Sequence, residues 1–145
     1  MATLPNASST LSRPLHDIAE LFLVEWQRSH GRSGQQACAS LTGDTLTVTI
    51  EHALTEGEMR LAANEPGREM VRRYIIQLVN EIYPQLAAFV ERSLGCFVAA
   101  SDVDVNSEEG SVCFCVHLRD LRRAGLRVDL LQACVVLSEV TVSVG

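Results

Sequence analysis

Hydrophobic positions in this chain change period several times, and each change marks an element. From Leu15 to His30 the apolar residues Leu15, Ile18, Phe22 and Trp26 recur at near-helical spacing. Leu21, Leu23 and Val24 broaden that stripe, so the predicted helix faces more than one neighbour. Gly31 and Gly34, in "HGRSGQ", end it. Period two then takes over. "QACASLT" and "TLTVTIE" are separated by Gly43-Asp44, a two-residue hairpin turn. In the second run Leu46, Val48 and Ile50 face one way while Thr45, Thr47 and Thr49 face the other, as in a half-buried antiparallel strand.

The helical period returns in "LTEGEMRLAANEPGREMVRRYIIQLVNEIYPQLAAF", Leu54 to Phe89, with unusually explicit punctuation. Thr55-Glu56-Gly57-Glu58 is a capping box, in which the Thr55 hydroxyl accepts from the Glu58 N–H and the Glu58 carboxylate reaches back. Leu54 and Met59 stand at the staple positions, and this short helix is expected to reach about Ala63. Asn64 caps a second helix, with Glu65 and Pro66 in the first turn, where a missing N–H costs nothing and negative charge suits the dipole. Val71, Ile75, Leu78, Ile82, Leu86 and Phe89 form its buried stripe. Pro84 is expected to kink it by freeing the Asn80 carbonyl, and Gly95 closes it. A second hairpin follows: "CFVAASDVDV", the turn "NSEEG", and "SVCFCVHL", where Val112, Phe114, Val116 and Leu118 alternate with Cys113, Cys115 and His117.

These elements predict an α+β fold. A four-stranded antiparallel sheet, built from the two hairpins, packs against an N-terminal helix and a long kinked central helix. Residues 1–13 read as a flexible leader, 14–118 as the domain and 119–145 as a C-terminal extension. In the extension a basic patch (Arg119, Arg122, Arg123, Arg127) precedes an apolar, β-branched run from Ala133 to Val144, which would add an edge strand or contact a second subunit.

Composition narrows the function classes. At 145 residues the chain fits one domain with a real hydrophobic core, and 47% hydrophobic with 21% charged residues is a globular balance. The net charge is −6, with every basic residue an Arg, which argues against a general nucleic-acid binder and disfavours an anionic membrane surface. No apolar run reaches the roughly 18–20 residues of a membrane span, and the first residues carry no signal-peptide core. Cys38, Cys96, Cys113, Cys115 and Cys134 are odd in number and lack CxxC spacing, so a reduced cytosol is expected rather than a disulfide framework.

Two constellations carry candidate chemistry. Cys113, Cys115 and His117 share one strand face, and Asp102 and Asp104 on the preceding strand share it in a suitable register, giving thiolate, imidazole and carboxylate ligands for a transition metal. Three ligands at i, i+2 and i+4 spread over roughly 13 Å, however, so two of them would have to act with Asp102 or Asp104. The plain alternative is small cysteines packed under a helix. Arg68, Arg72 and Arg73, near a helix N-terminus, are candidates to hold an anion or a partner. Glu58, Glu65 and Glu69 would equally neutralise them as surface pairs. His16, His30, His52 and His117 lie in no nucleophile motif and no phosphate loop is present, so neither a catalytic set nor a cofactor is expected.

"LTEGEMRLAANEPGREMVRR", "YPQLAAFVERSLGCFVAASDVDV" and "VCFCVHL" together resemble the MpsC-like family, named after a component of a Na+-translocating membrane-potential-generating system. The resemblance runs from about Leu15 to Leu118 and rests on structural punctuation. The chain departs from the family pattern at Asn64-Glu65-Pro66-Gly67, where Glu and Pro are exchanged, and at Gly31-Arg32-Ser33-Gly34. What the resemblance implies is a non-enzymatic accessory or regulatory component of a bacterial cation-translocating, membrane-potential or inorganic-carbon transport system. It would be cytoplasmic, held near the inner membrane by a membrane transport protein. Apart from the resemblance, the two-sided first helix and the β-rich tail point to a homodimer or to docking on a larger protein. The competing expectation is a homodimeric small-ligand or metal-binding domain that uses the second hairpin.

Overall fold

The two hairpins form and join into one sheet. β1 (Gln36–Thr42) and β2 (Thr45–Glu51) pair with Thr42 opposite Thr45, so Gly43 and Asp44 alone make the turn. Gly43 takes φ +62°, a left-handed conformation that a residue with a Cβ resists. β3 (Phe97–Asn106) and β4 (Ser111–Arg119) form the second hairpin, and β4 pairs antiparallel with β2 to fuse the two. The computed structural model describes residues 7–31, 35–121 and 131–136. Residues 1–6 of the expected leader, Arg32, Ser33 and Gly34, Arg122, Arg123 and Arg127 of the basic patch, and residues 137–145 lie outside them.

Among the described residues the sheet has five strands, where four are expected from the two hairpins alone. β5 (Leu131–Val136) pairs antiparallel with β1, giving the order β3-β4-β2-β1-β5. The added strand is the edge-strand reading of the C-terminal extension, realised over six residues. Its register sets Cys134 directly opposite Cys38, and the two form a disulfide. This corrects the expectation of reduced cysteines. Spacing along the chain carries no sign of a bond between residues 96 apart until β5 is placed on β1.

Three helices are described: α1 (Ala7–His30), α2 (Glu56–Leu61) and α3 (Glu65–Leu94). α1 begins earlier than its apolar stripe and runs through Pro14, so residues 7–13 of the expected leader are helical. The capping box of α2 is present in both halves, with Glu58 N donating to Thr55 Oγ1 at 3.1 Å and Thr55 N donating to Glu58 Oε1 at 2.8 Å. Asn64 caps α3 by accepting from Gly67 N at 2.8 Å. At the other end Gly95 closes α3 in the left-handed region. Pro84 sits inside α3, which continues through it as one helix.

Period two sorts the sheet into two faces. Ala37, Ala39, Leu41, Leu46, Val48, Ile50, Val112, Phe114, Val116 and Leu118 are all buried, and they meet Leu15, Ile18, Phe22 and Leu23 of α1 and Val71, Ile75, Val79, Ile82 and Leu86 of α3. Phe22 meets Phe114 edge-to-face with ring centroids 5.0 Å apart, while α1 lies chiefly over β1 and β5. No described helix is long and apolar enough to cross a membrane.

Candidate functional site

The face of the sheet that none of the described helices covers, called the helix-free face below, collects the polar half of every strand. Register aligns Cys134, Cys38, Thr49, Cys113 and Asp104 in one row across the sheet. The next row is Gln132, Ser40, Thr47, Cys115 and Asp102. Small side chains fill the middle: Cys38, Ser40, Thr45, Thr47, Thr49, Cys113 and Cys115 are each half-buried by their strand neighbours, while Asp102, Asp104 and His117 are exposed toward one side. The result is a surface polar but almost uncharged at its centre, with Asp102 and Asp104 on the β3 rim and Glu51 and Arg119 at strand ends.

The second-hairpin residues fall where alternation put them. Cys113, Cys115 and His117 share this face, Asp104 is opposite Cys113 and Asp102 is opposite Cys115. Cys115 Sγ lies 4.0 Å from His117 Nε2, and the Thr49 hydroxyl donates to Cys113 Sγ at 3.6 Å. A bulge in β3 between Val98 and Ala100 restores the register that brings Ala100 opposite His117. Among the described residues, the group of three possible metal ligands whose donor atoms all lie within 4.8 Å of one another is His16, Asp17 and Glu20 on α1. The five second-hairpin residues do not gather three donors that closely. The α1 group stands at i, i+1 and i+4, with His16 and Glu20 exposed and Asp17 half-buried, a spacing legible in the sequence.

The arginine set divides. Arg68 lines an open groove of about 600 Å³ together with Asp104, Asn106 and Glu108 of the β3–β4 end and Met59 of α2. Two separate candidate sets thus meet here, Arg68 from one and Asp104 from the other. The link between hairpin and helix is firm on the backbone, since Ala53 N and Leu54 N both donate to Gly110 O, at 2.7 and 3.2 Å. Arg72 borders a shallower depression with Glu65, Glu69 and Arg68. Arg73 pairs with Glu69 at 3.3 Å on an exposed helix face, where such a pair stabilises by under about 1 kcal/mol.

One buried polar contact was not visible in the sequence. His30 closes α1 with a side chain only 1% exposed, its Nε2 2.9 Å from both carboxylate oxygens of Glu58. Its ring stacks on Trp26 at 4.8 Å, and Trp26 Nε1 donates to Ala53 O at 3.3 Å. Glu58 therefore serves two elements at once, completing the α2 capping box and anchoring the end of α1. A carboxylate only accepts, so Nε2 carries the proton in this contact. The role is architectural: the contact ties the C-terminal end of α1 to the start of α2. The free thiol of Cys96 is closed off: burial first, and then the Glu91 carboxylate, raise its pKa to about 11, so it stays protonated at neutral pH.

Comparison with known proteins places this architecture. The family model described as "Na+-translocating membrane potential-generating system (MpsC)" matches residues 20–120, more than half of the chain. No curated protein and no solved structure gives a significant match.

Proposed function

The chain belongs to the MpsC family, and on that premise we propose that it serves a Na+-translocating, membrane-potential-generating system as a non-enzymatic accessory or regulatory component, acting by protein–protein contact. Translocation needs a path through the bilayer, and none of the described helices is long and apolar enough to provide one. A membrane transport protein is then the natural partner.

The observation that carries the contact reading is the helix-free sheet face. Ordering small Ser, Thr and Cys side chains on docking costs little rotamer entropy, because they have few rotatable bonds to freeze. A face carried by hydrogen-bonded strands also needs little backbone rearrangement to meet a partner. The β3 rim, with Asp102 and Asp104, supplies the charges that orient the encounter. A second copy of this chain is the competing occupant of the face. We place the protein on the cytoplasmic side, where reducing thiols would act on the Cys38–Cys134 bridge.

The test uses Thr47, half-buried in the centre of the face on β2. Tagged wild-type protein, purified from detergent-solubilised native membranes, is expected to bring down a membrane transport protein. Thr47→Arg, which adds a bulky charge to the centre of the face, is expected to lose it with an unchanged circular dichroism spectrum. Recovery of the same partner by Thr47→Arg at wild-type yield would contradict the reading. So would wild-type protein that recovers only itself.

A further inference from the structure

The bridge between Cys38 and Cys134 closes a loop of 96 residues in sequence, and it lies at the weakest seam of the sheet. β5 is an edge strand of six residues, attached to the sheet through β1 alone. On its inner face Val135 is buried and Ala133 partly so, packed under α1, while Gln132 and Cys134 are exposed. The neighbouring strands hold far better, since β1 buries Ala37, Ala39 and Leu41, and β2 buries Leu46, Val48 and Ile50. Beside the contacts with β1 and α1, the cross-link holds this edge strand covalently and restricts the open ensemble whatever the packing.

The same bridge is open to exchange. Cys134 is exposed, so a thiolate from solvent can reach its sulfur. Each sulfur has a glutamine amide beside it, Gln36 Nε2 at 3.5 Å from Cys38 Sγ and Gln132 Nε2 at 3.9 Å from Cys134 Sγ. Donors so placed favour the thiolate that forms when the bond breaks. No internal thiol competes. Cys113, the next cysteine in the row, is separated from Cys38 by Thr49 of β2, two strand spacings or roughly 9–10 Å away, beyond disulfide reach.

We propose that the Cys38–Cys134 bridge is a redox latch: a dithiol reductant opens it, β5 then leaves β1 readily, and β1 becomes the edge of the sheet. The first thiolate of the reductant attacks Cys134 Sγ, the S–S bond breaks, and Cys38 departs as a thiolate that takes up a proton. The second thiol of the reductant resolves the mixed disulfide, leaving Cys134 as a thiol and the reductant as its own disulfide. Two electrons and two protons pass to the protein. The new edge at Gln36–Leu41 would present unpaired backbone donors and acceptors, which an extended strand of a partner can pair with.

Hydrogen exchange of the full-length protein, with and without dithiothreitol, tests the latch. Complete reduction, confirmed by thiol mass-labelling, is expected to speed exchange of the β5 amides by at least about tenfold and to leave the α3 amides near Ile75 and Val79 unchanged. A Cys38→Ser/Cys134→Ser double variant should exchange as the reduced protein does, whether or not reductant is present. Cys113→Ser/Cys115→Ser should keep the wild-type response. Unchanged β5 protection after full reduction overturns the latch. So does an equal loss of protection in α3, which would make the bridge a global staple.

Discussion

Gly67→Ala is expected to destabilise the domain by about 2–4 kcal/mol, combining backbone overpacking with damage to a helix cap. Gly67 is the third residue of α3, and its N–H donates to the Asn64 side chain that caps the helix. Chain reversal between α2 and α3 takes only the few residues from Ala62 to Asn64, so the end of α2 lies against the start of α3. A Cβ on Gly67 would be driven into the carbonyl oxygen of Leu61, with the Leu61 carbonyl carbon at 2.9 Å and Asn64 Oδ1 at 3.1 Å. These neighbours are backbone and cap, so no rotamer change relieves the clash. α3 would have to move off α2, loosening the cap and the buried Ala62. Gly57→Ala is the control: its Cβ would meet only Thr55 Oγ1, at 3.9 Å, and alanine in place of glycine within α2 should gain about 0.5–1 kcal/mol. Urea unfolding of both variants checks the pair. A Gly67→Ala midpoint equal to wild type would show that the α2–α3 junction is not the tight reversal described.

Trp26→Ala should cost about 3–5 kcal/mol, the range for emptying a large core site. Trp26 is fully buried, and three elements depend on it. It belongs to α1, its Nε1 donates to Ala53 O in the loop after β2, and its ring supports His30, which holds Glu58 of α2. Truncation leaves a cavity, removes the Nε1–H donor that Ala53 O accepts from, and takes the stacking surface from a buried imidazole. Trp26→Phe keeps most of the apolar volume and loses the hydrogen bond, for an expected loss of about 1–2 kcal/mol. Combining Trp26→Phe with Glu58→Gln should give a non-additive loss, because both changes act on His30. Strict additivity in urea unfolding would separate the two contacts.

Local rules made much of this fold legible. Helix stripes, strand alternation, the Thr55–Glu58 capping box, the Asn64 cap and the Gly43-Asp44 turn each depend on residues within a few positions of one another, and each appears where the sequence places it. Alternation also puts Cys113, Cys115 and His117 on one face. What escaped depends on register between distant segments. β5 could be foreseen as an added strand, but its partner and alignment could not, and with them went the Cys38–Cys134 bridge. His30 read as one of four scattered histidines because its carboxylate partner lies 28 residues on, across a hairpin. The meeting of Arg68 with Asp104 likewise needed the β3–β4 end to be folded against α2. The start of α1 was misplaced for a different reason: its first residues lie outside the apolar stripe and precede Pro14, so neither periodicity nor propensity marks them as helix.

The central claim, that the helix-free sheet face docks a membrane transport partner, is tested most directly by photo-crosslinking in cells. A photoreactive residue replaces Thr47 in one strain and Arg73, 80% exposed on α3, in another. The account predicts a crosslink to a membrane transport protein from position 47 and none from position 73. A crosslink to that protein from position 73 alone, or to no protein but a second copy of this chain from position 47, would contradict it.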